Sequence, residues 1–274
     1  MRLDLIRERR DMGKAERIVM DKSNLYDAKF YETYNACVLK SASIVVPLVT
    51  ELVNPHSVVD VGCGVGTWLG QFREHGVGRV LGMDGDYVDP SSLMIPSDCF
   101  RALDLNRPGG IDEKAGEKFD LAMSLEVGEH LQKTSAEHLV GFLCRLAPVV
   151  LFSAAMPMQG GTHHVNEQWP DYWAALFARH NYMKIDAVRK FIWKNSEVEW
   201  WYRQNIFLFV SEDSIDSYPE LAKFRAEADD LVLVHRNILD KHVWLPEVLK
   251  RLPARILDTT MRKISGAYSR LSHE

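Results

Sequence analysis

Two hydrophobic periods alternate along this chain, and the changes between them outline its elements. Between Tyr26 and Val53 apolar and aromatic residues recur at helical spacing: Phe30, Tyr34, Val38, Ala42, Val45, Val49, Leu52. Pro47 interrupts that segment, which predicts a kink or two helices. Seven short apolar runs then follow, at 58–61, 79–84, 98–105, 119–126, 149–154, 183–188 and 205–210. Runs this short and this apolar read as strands covered on both faces. Helical segments separate most of them, at 68–72, 139–146 and 171–177, so crossover connections are expected. The expected class is α/β, with a seven-stranded, mostly parallel sheet and helical additions at both ends. By position the chain divides into an N-terminal helical cap (1–55), a sheet domain (56–211) and a C-terminal helical appendage (212–274).

The pattern breaks most sharply after the first run. Val58-Val59-Asp60-Val61 gives way to Gly62-Cys63-Gly64-Val65-Gly66-Thr67, and an apolar helix begins at Trp68. Strand, glycine turn and helix make a nucleotide-binding device, because glycines let the backbone approach a ligand and the helix start offers free N–H groups. The spacing G-x-G-x-G is one residue tighter than the dinucleotide fingerprint G-x-G-x-x-G. Asp60, on the strand, would repel a pyrophosphate but suits a ligand carrying an ammonium group. The second run ends at Asp84, where a carboxylate can accept both hydroxyls of a ribose. Asp86 competes for that role, and an ordinary helix cap is the structural alternative. Tyr87 is placed to flank the base.

D-V-G-C-G-V-G resembles the first motif of class I S-adenosylmethionine-dependent methyltransferases, whose sheet is Rossmann-like and doubly wound. The resemblance implies that Asp60, Gly62, Cys63, Gly64, Gly66 and Thr67 wrap the amino-acid end of S-adenosylmethionine. It also implies that Asp84 and Tyr87 hold the nucleoside, that Asp104 and Leu105 meet the adenine, and that Ser124 and Glu126 line the pocket from the fourth run.

That fourth run leads straight into Glu126-Val127-Gly128-Glu129-His130. The E-x-x-E-H spacing gathers two carboxylates and an imidazole at a strand end, a set that can hold a divalent ion. The same spacing resembles that of ubiquinone-biosynthesis O-methyltransferases and of enzymes that modify the terminal ribose of small RNAs, which implies a Mg or Mn site. The alternative is metal-free, with the glutamates capping a helix. After the fifth run comes a loop dense in hydrogen-bonding side chains, Met156 to Pro170, including Asn166, Glu167 and Gln168. Its adjacent His163 and His164 are candidates for a general base, since an imidazole titrates near neutral pH. The expected metal set is Glu126, Glu129, His130 and His164, and the expected catalytic set is His163, His164, Glu129 and His130. The loop and the helix after it also resemble a bacterial group of class I methyltransferases tied to glycan and secondary-metabolite pathways.

Composition narrows the partners. Net charge is −5, so no global basic field draws the chain to bulk nucleic acid. Cys37, Cys63, Cys99 and Cys144 are scattered without a C-x-x-C pair, which fits reduced thiols in a cytoplasmic protein. The charged start, Met1 to Arg10, is unlike a signal peptide, and no apolar run is expected to span a membrane. Trp193, Trp200 and Trp201 lie between the last two runs and either stack on a ring or cover the sheet edge. Residues 212–274 carry charged helical patterns suited to packing on the sheet, forming a homodimer or holding a partner. The expected function is transfer of a methyl group from S-adenosylmethionine to a hydroxyl of a small polar molecule or saccharide. The competing expectations are a metal-assisted 2′-O-methyltransferase of an RNA end and a catalytically silent binding subunit.

Overall fold

The computed structural model describes residues 28–105, 117–224 and 233–238, with side chains in the first helix from residue 35. Tyr26, the side chain of Tyr31, the turn at 106–109 and the tail from 239 lie outside the described residues. Seven strands form one sheet in the order β3-β2-β1-β4-β5-β7-β6. β1 (Ser57–Val61) is an interior strand, parallel to β2 (Arg79–Asp84) on one side and to the central strand β4 (Leu121–Leu125) on the other. β3 (Phe100–Ala102) extends the β2 side, and β5 (Val149–Ser153) the β4 side, both in parallel. β7 (Phe207–Ser211) runs antiparallel to both β5 and β6 (Tyr182–Ile185).

Alternation along the strands separates two apolar layers. Val58, Leu121, Met123 and Leu151 pack toward α1 (Ala28–Val53) and α2 (Thr67–Glu74), meeting Val45, Val49, Leu69 and Phe72. Val59, Val61, Phe152 and Phe209 pack toward α3 (Lys133–Leu146) and α4 (Pro170–Ala178), meeting Leu139, Leu143 and Phe177. Each such side chain contributes about 1.5–3 kcal/mol on burial, and the one-residue shift between layers locks the strand register.

Three expectations change. α1 is a single helix through Pro47, because Val45, Val46 and Val49, all fully buried, hold it to the sheet on both sides of the proline. One stretch of it, Asn35–Val53, is long and apolar enough to cross a membrane by length and composition, contrary to the expectation of no such run. Its Val38, Ala42, Val45, Val46 and Val49 are spent on the sheet, so its apolarity has a packing cause. The third strand is only Phe100–Ala102, and Asp104 lies past it, exposed.

After β7 the chain turns back onto the α1 layer. α7 (Pro219–Ala222) buries Leu221 completely beside the partly buried Ile215, Tyr218 and Phe224, and Asp186 N–H donates to the Phe224 carbonyl. Between β6 and β7 lie α5 (Arg189–Ile192) and α6 (Trp200–Asn205). There the fully buried Arg189 pairs with Asp186, lies over the Phe207 ring and donates to the Gln204 carbonyl at 3.2 Å.

Candidate active site

β1 and β4 are neighbours in the sheet although β2 and β3 come between them in sequence. The crevice at their carboxyl ends is therefore the switch point at which open α/β sheets bind ligands. Two clusters of the expected site residues meet its edge.

The first is the glycine loop. Gly62 has φ +88°, and a Cβ there would stand 2.3 Å from Val127 Cγ2, so only glycine lets β1 end against the β4 turn. The N–H groups of Gly62 and Cys63 both donate to the Met83 carbonyl, at 2.7 and 3.2 Å, fastening the loop to β2. Gly64, at φ +53°, would place a Cβ in open space, the room a ligand needs. Gly66 (φ +81°) caps α2, and Thr67 behind it is buried. Asp60 is buried, only 2% exposed, and its Oδ1 has no hydrogen-bond partner among the described residues. Burial first, then the charge of Asp84, push its carboxyl well above the usual range. A buried acid left unsatisfied beside an open loop is a receptor for a cation.

Asp84 accepts from the N–H of Gly64 at Oδ2 (2.7 Å) and from that of Gly85 at Oδ1 (2.6 Å), and the Tyr87 hydroxyl donates to the same Oδ1. Tyr87 is otherwise 81% exposed. Ser124 is buried and donates to the Val61 carbonyl at 2.7 Å, so its hydroxyl ties β4 to β1. Leu105 is half-buried and Asp104 exposed at the β3 end.

The second cluster grows from the β4 turn. Glu126 adopts φ +56°, a strained value for a residue with a side chain, and is pinned by its N–H to the Ser153 carbonyl (2.9 Å). A short 3₁₀ turn, Gly128–His130, follows. Gly128 is needed there because a Cβ would stand 2.6 Å from the Trp173 ring. Glu129 is fully buried, and neither carboxylate oxygen has a hydrogen-bond partner among the described residues. Its own N–H and that of Ala155 lie near enough to pull its pKa down, but burial and the charge of Glu126 outweigh them and raise it well above the usual range. The main-chain carbonyl of Glu129 accepts from Val165 N–H (2.9 Å) and Asn166 N–H (3.0 Å), which brings the 156–170 loop onto the turn.

This docking delivers His164. Gly161 makes space for its ring, since a Cβ there would lie 2.2 Å from Nε2. Ligating atoms of Glu129, His130 and His164 all fall within 4.8 Å of one another, and the two imidazoles meet edge to face at 4.9 Å. Nδ1 of His164 donates to Glu167 at 2.9 Å, and Glu167 also accepts from the N–H groups of Met158 and Gly160. Burial, then the charge of His164, lowers the His130 pKa and keeps that ring neutral.

Two expected members stand apart. Glu126 is not in the converging group: its Oε2 accepts from Gln159 (2.8 Å) and its Oε1 from Asn205 (3.1 Å), so both oxygens are engaged elsewhere. His163 (φ +60°) is exposed on the rim rather than turned into the group. The residues that sequence reasoning missed are the clamps, Gln159 and above all Asn205, which read as the start of a strand. No local signal marks them, because Asn205 lies 79 positions from its partner.

A family model described as "Methyltransferase domain" matches residues 32–195, more than half of the chain, and the chain belongs to this family. With this sheet and this glycine loop it is a class I S-adenosylmethionine-dependent methyltransferase. Solved structures agree in fold. An O-methyltransferase family protein from Burkholderia thailandensis is 14% identical, with a TM-score of 0.50, over 68% of this chain and 60% of its own. DesVI of Streptomyces venezuelae is 16% identical, with a TM-score of 0.51, over 70% of this chain and 98% of its own. The chain thus spans under two thirds of the first of these and nearly all of the second. Comparison with curated protein sequences gives no match.

Proposed function

We propose that this methyltransferase acts in the cytoplasm on a hydroxyl oxygen of a small polar molecule or saccharide, at a divalent-metal site made by Glu129, His130 and His164. The observation that carries the reading is the fully buried Glu129 carboxylate, without a hydrogen-bond partner among the described residues and within 4.8 Å of two imidazole nitrogens. Isolated, such a carboxylate is costly, and a bound Mg or Mn ion would offset that cost. The surroundings fit. His164 donates Nδ1–H to Glu167, which leaves the Nε2 lone pair for a ligand, as metal-bound imidazoles usually donate their other N–H to a carboxylate. His130 is held neutral, the form that ligates.

When bound, the ion supplies charge that lowers the pKa of an acceptor hydroxyl and a second position for a neighbouring one. The chain's own residues do the remainder. Asp60 meets the ammonium of S-adenosylmethionine, and the open face of Gly64 admits its chain. Asp84 accepts the ribose once the Tyr87 hydroxyl yields, with Tyr87, Asp104 and Leu105 toward the adenine. The 156–170 loop covers the β4 turn and holds acceptor oxygen, methyl carbon and sulfur in line away from water. His163, on the rim, is placed to pass the released proton to solvent.

Calorimetry on the full chain tests this with S-adenosylmethionine, NAD and Mn²⁺ as probes, followed by mass spectrometry of a panel of hydroxylated acceptors. Binding of S-adenosylmethionine and Mn²⁺ is expected, with Mn²⁺ binding abolished in Glu129→Gln. Tighter binding of NAD would overturn the cofactor assignment, and Mn²⁺ binding unchanged in Glu129→Gln would overturn the metal site.

A further inference from the structure

The Glu126 carboxylate is the end of a chain of carboxamides that begins outside the site, in the 233–238 segment. The backbone N–H of His235 donates to Gln204 Oε1 at 2.7 Å. That decides which end of the Gln204 amide faces inward, and its Nε2 donates to Asn205 Oδ1 at 3.0 Å. Asn205 then presents Nδ2, which donates to Glu126 Oε1 (3.1 Å) and Gln159 Oε1 (2.8 Å). Gln159, accepting at its oxygen, presents Nε2 to Glu126 Oε2 at 2.8 Å. A carboxamide has one accepting and one donating end, so each link dictates the next. An ionised carboxylate only accepts, and is the terminus this polarity requires.

The links have little freedom to turn over. Gln204, Asn205 and Gln159 are 1%, 4% and 5% exposed, so a reversed amide would set N–H against N–H out of reach of water. The main chain of Gln204 is fastened separately, its carbonyl accepting from Arg189, which is itself paired with Asp186. Only the side-chain orientation is left for His235 to set.

We propose that Gln204 and Asn205 are positioning residues for Glu126, set by the backbone N–H of His235 when the 233–238 segment docks on α6. The consequence rests on the reading of Glu129, His130 and His164 as a metal site. With both oxygens held by Asn205 and Gln159, Glu126 stays outside the group of Glu129, His130 and His164, although near enough for its charge to act on Glu129. Released, Glu126 is a competitor that can bridge to Glu129 or take the position on the ion that the acceptor needs.

The test compares full-length His235→Pro, which deletes the N–H, with His235→Ala, which keeps it. Gln204→Met, close in shape and without the amide, is the second variant in case the proline disturbs folding. The side-chain NH₂ resonances of Gln204, Asn205 and Gln159 are followed by ¹⁵N NMR, and Mn²⁺ affinity by electron paramagnetic resonance. The Asn205 and Gln159 signals are expected to move together in His235→Pro and Gln204→Met and to stay in place in His235→Ala. Mn²⁺ binding should weaken by roughly tenfold or more in the first two, the usual cost of losing a supporting shell. Unmoved Asn205 and Gln159 signals in His235→Pro and Gln204→Met, or the same shifts in His235→Ala as in His235→Pro, would overturn the proposal. A wild-type chain that binds no Mn²⁺ would remove the metal reading, while the amide shifts would still decide the chain of carboxamides.

Discussion

Asp60 shows how a single residue trades stability for binding. Its folded-state pKa is raised by burial and by Asp84, so the folded chain holds a proton that the unfolded chain gives up near pH 4. Stability is therefore lost as pH rises from that value toward the folded pKa, and the handicap grows throughout that window. Asp60→Asn is expected to raise the melting temperature of the ligand-free protein at pH 7.5 by a few degrees, about 1–2 kcal/mol, and to weaken S-adenosylmethionine binding. The gain should vanish near pH 4, which thermal melts across pH will show. The loop glycines make a second contrast. Gly62→Ala drives a methyl into Val127 and should cost roughly 2–3 kcal/mol of stability. Gly64→Ala meets nothing, so it should melt within a few degrees of the parent yet bind S-adenosylmethionine far more weakly; calorimetry paired with melts separates the two outcomes.

At the scale of elements, what was legible in the sequence was whatever a local pattern encodes. β1, β4 and β5 are buried on both faces and appear as mostly apolar runs, interrupted only by Asp60 in β1 and by Ser124 and Ser153 in β4 and β5, apart from the half-buried Ser57 that opens β1. The glycine turn announces itself because three alternating glycines have no other use. Ends were harder, since they depend on partners. β4 starts at Leu121 because Asp120 is taken by the start of β1, its carboxylate accepting from His56 N–H (2.9 Å) and Ser57 N–H (2.8 Å). β3 is short and, among the described residues, pairs on one side only. In the site, Glu129, His130 and His164 could be suspected from spacing, whereas the clamp of Gln159 and Asn205 on Glu126 depends on where two distant loops meet. The segment after β7 gives this scale its own prediction. Leu221 is completely buried in the α1 layer, so Leu221→Ala should cost about 2–5 kcal/mol, read as a lower midpoint in urea unfolding.

For the molecule as a whole, the sheet order sets the division of labour. β2 and β1 carry the loop assigned to S-adenosylmethionine, and β4 and β5 carry the groups assigned to the acceptor, so both substrates meet above one crevice. A ligand held at both halves stabilises the fold by mass action. At a hundred times its dissociation constant, S-adenosylmethionine should add about 2.7 kcal/mol, visible as a raised melting temperature that Asp84→Ala abolishes.

The paired acceptance by the Glu129 carbonyl has a kinetic meaning. Val165 and Asn166 both hang from that one oxygen, immediately after His164. The loop therefore cannot lift without breaking both bonds together, and when it lifts it carries His164 away from Glu129. Hydrogen–deuterium exchange should find the amides of residues 165 and 166 opening as a single event, at one shared rate. If an ion sits there, its residence time becomes the clock for that opening, and adding Mn²⁺ should slow exchange at both amides by the same factor.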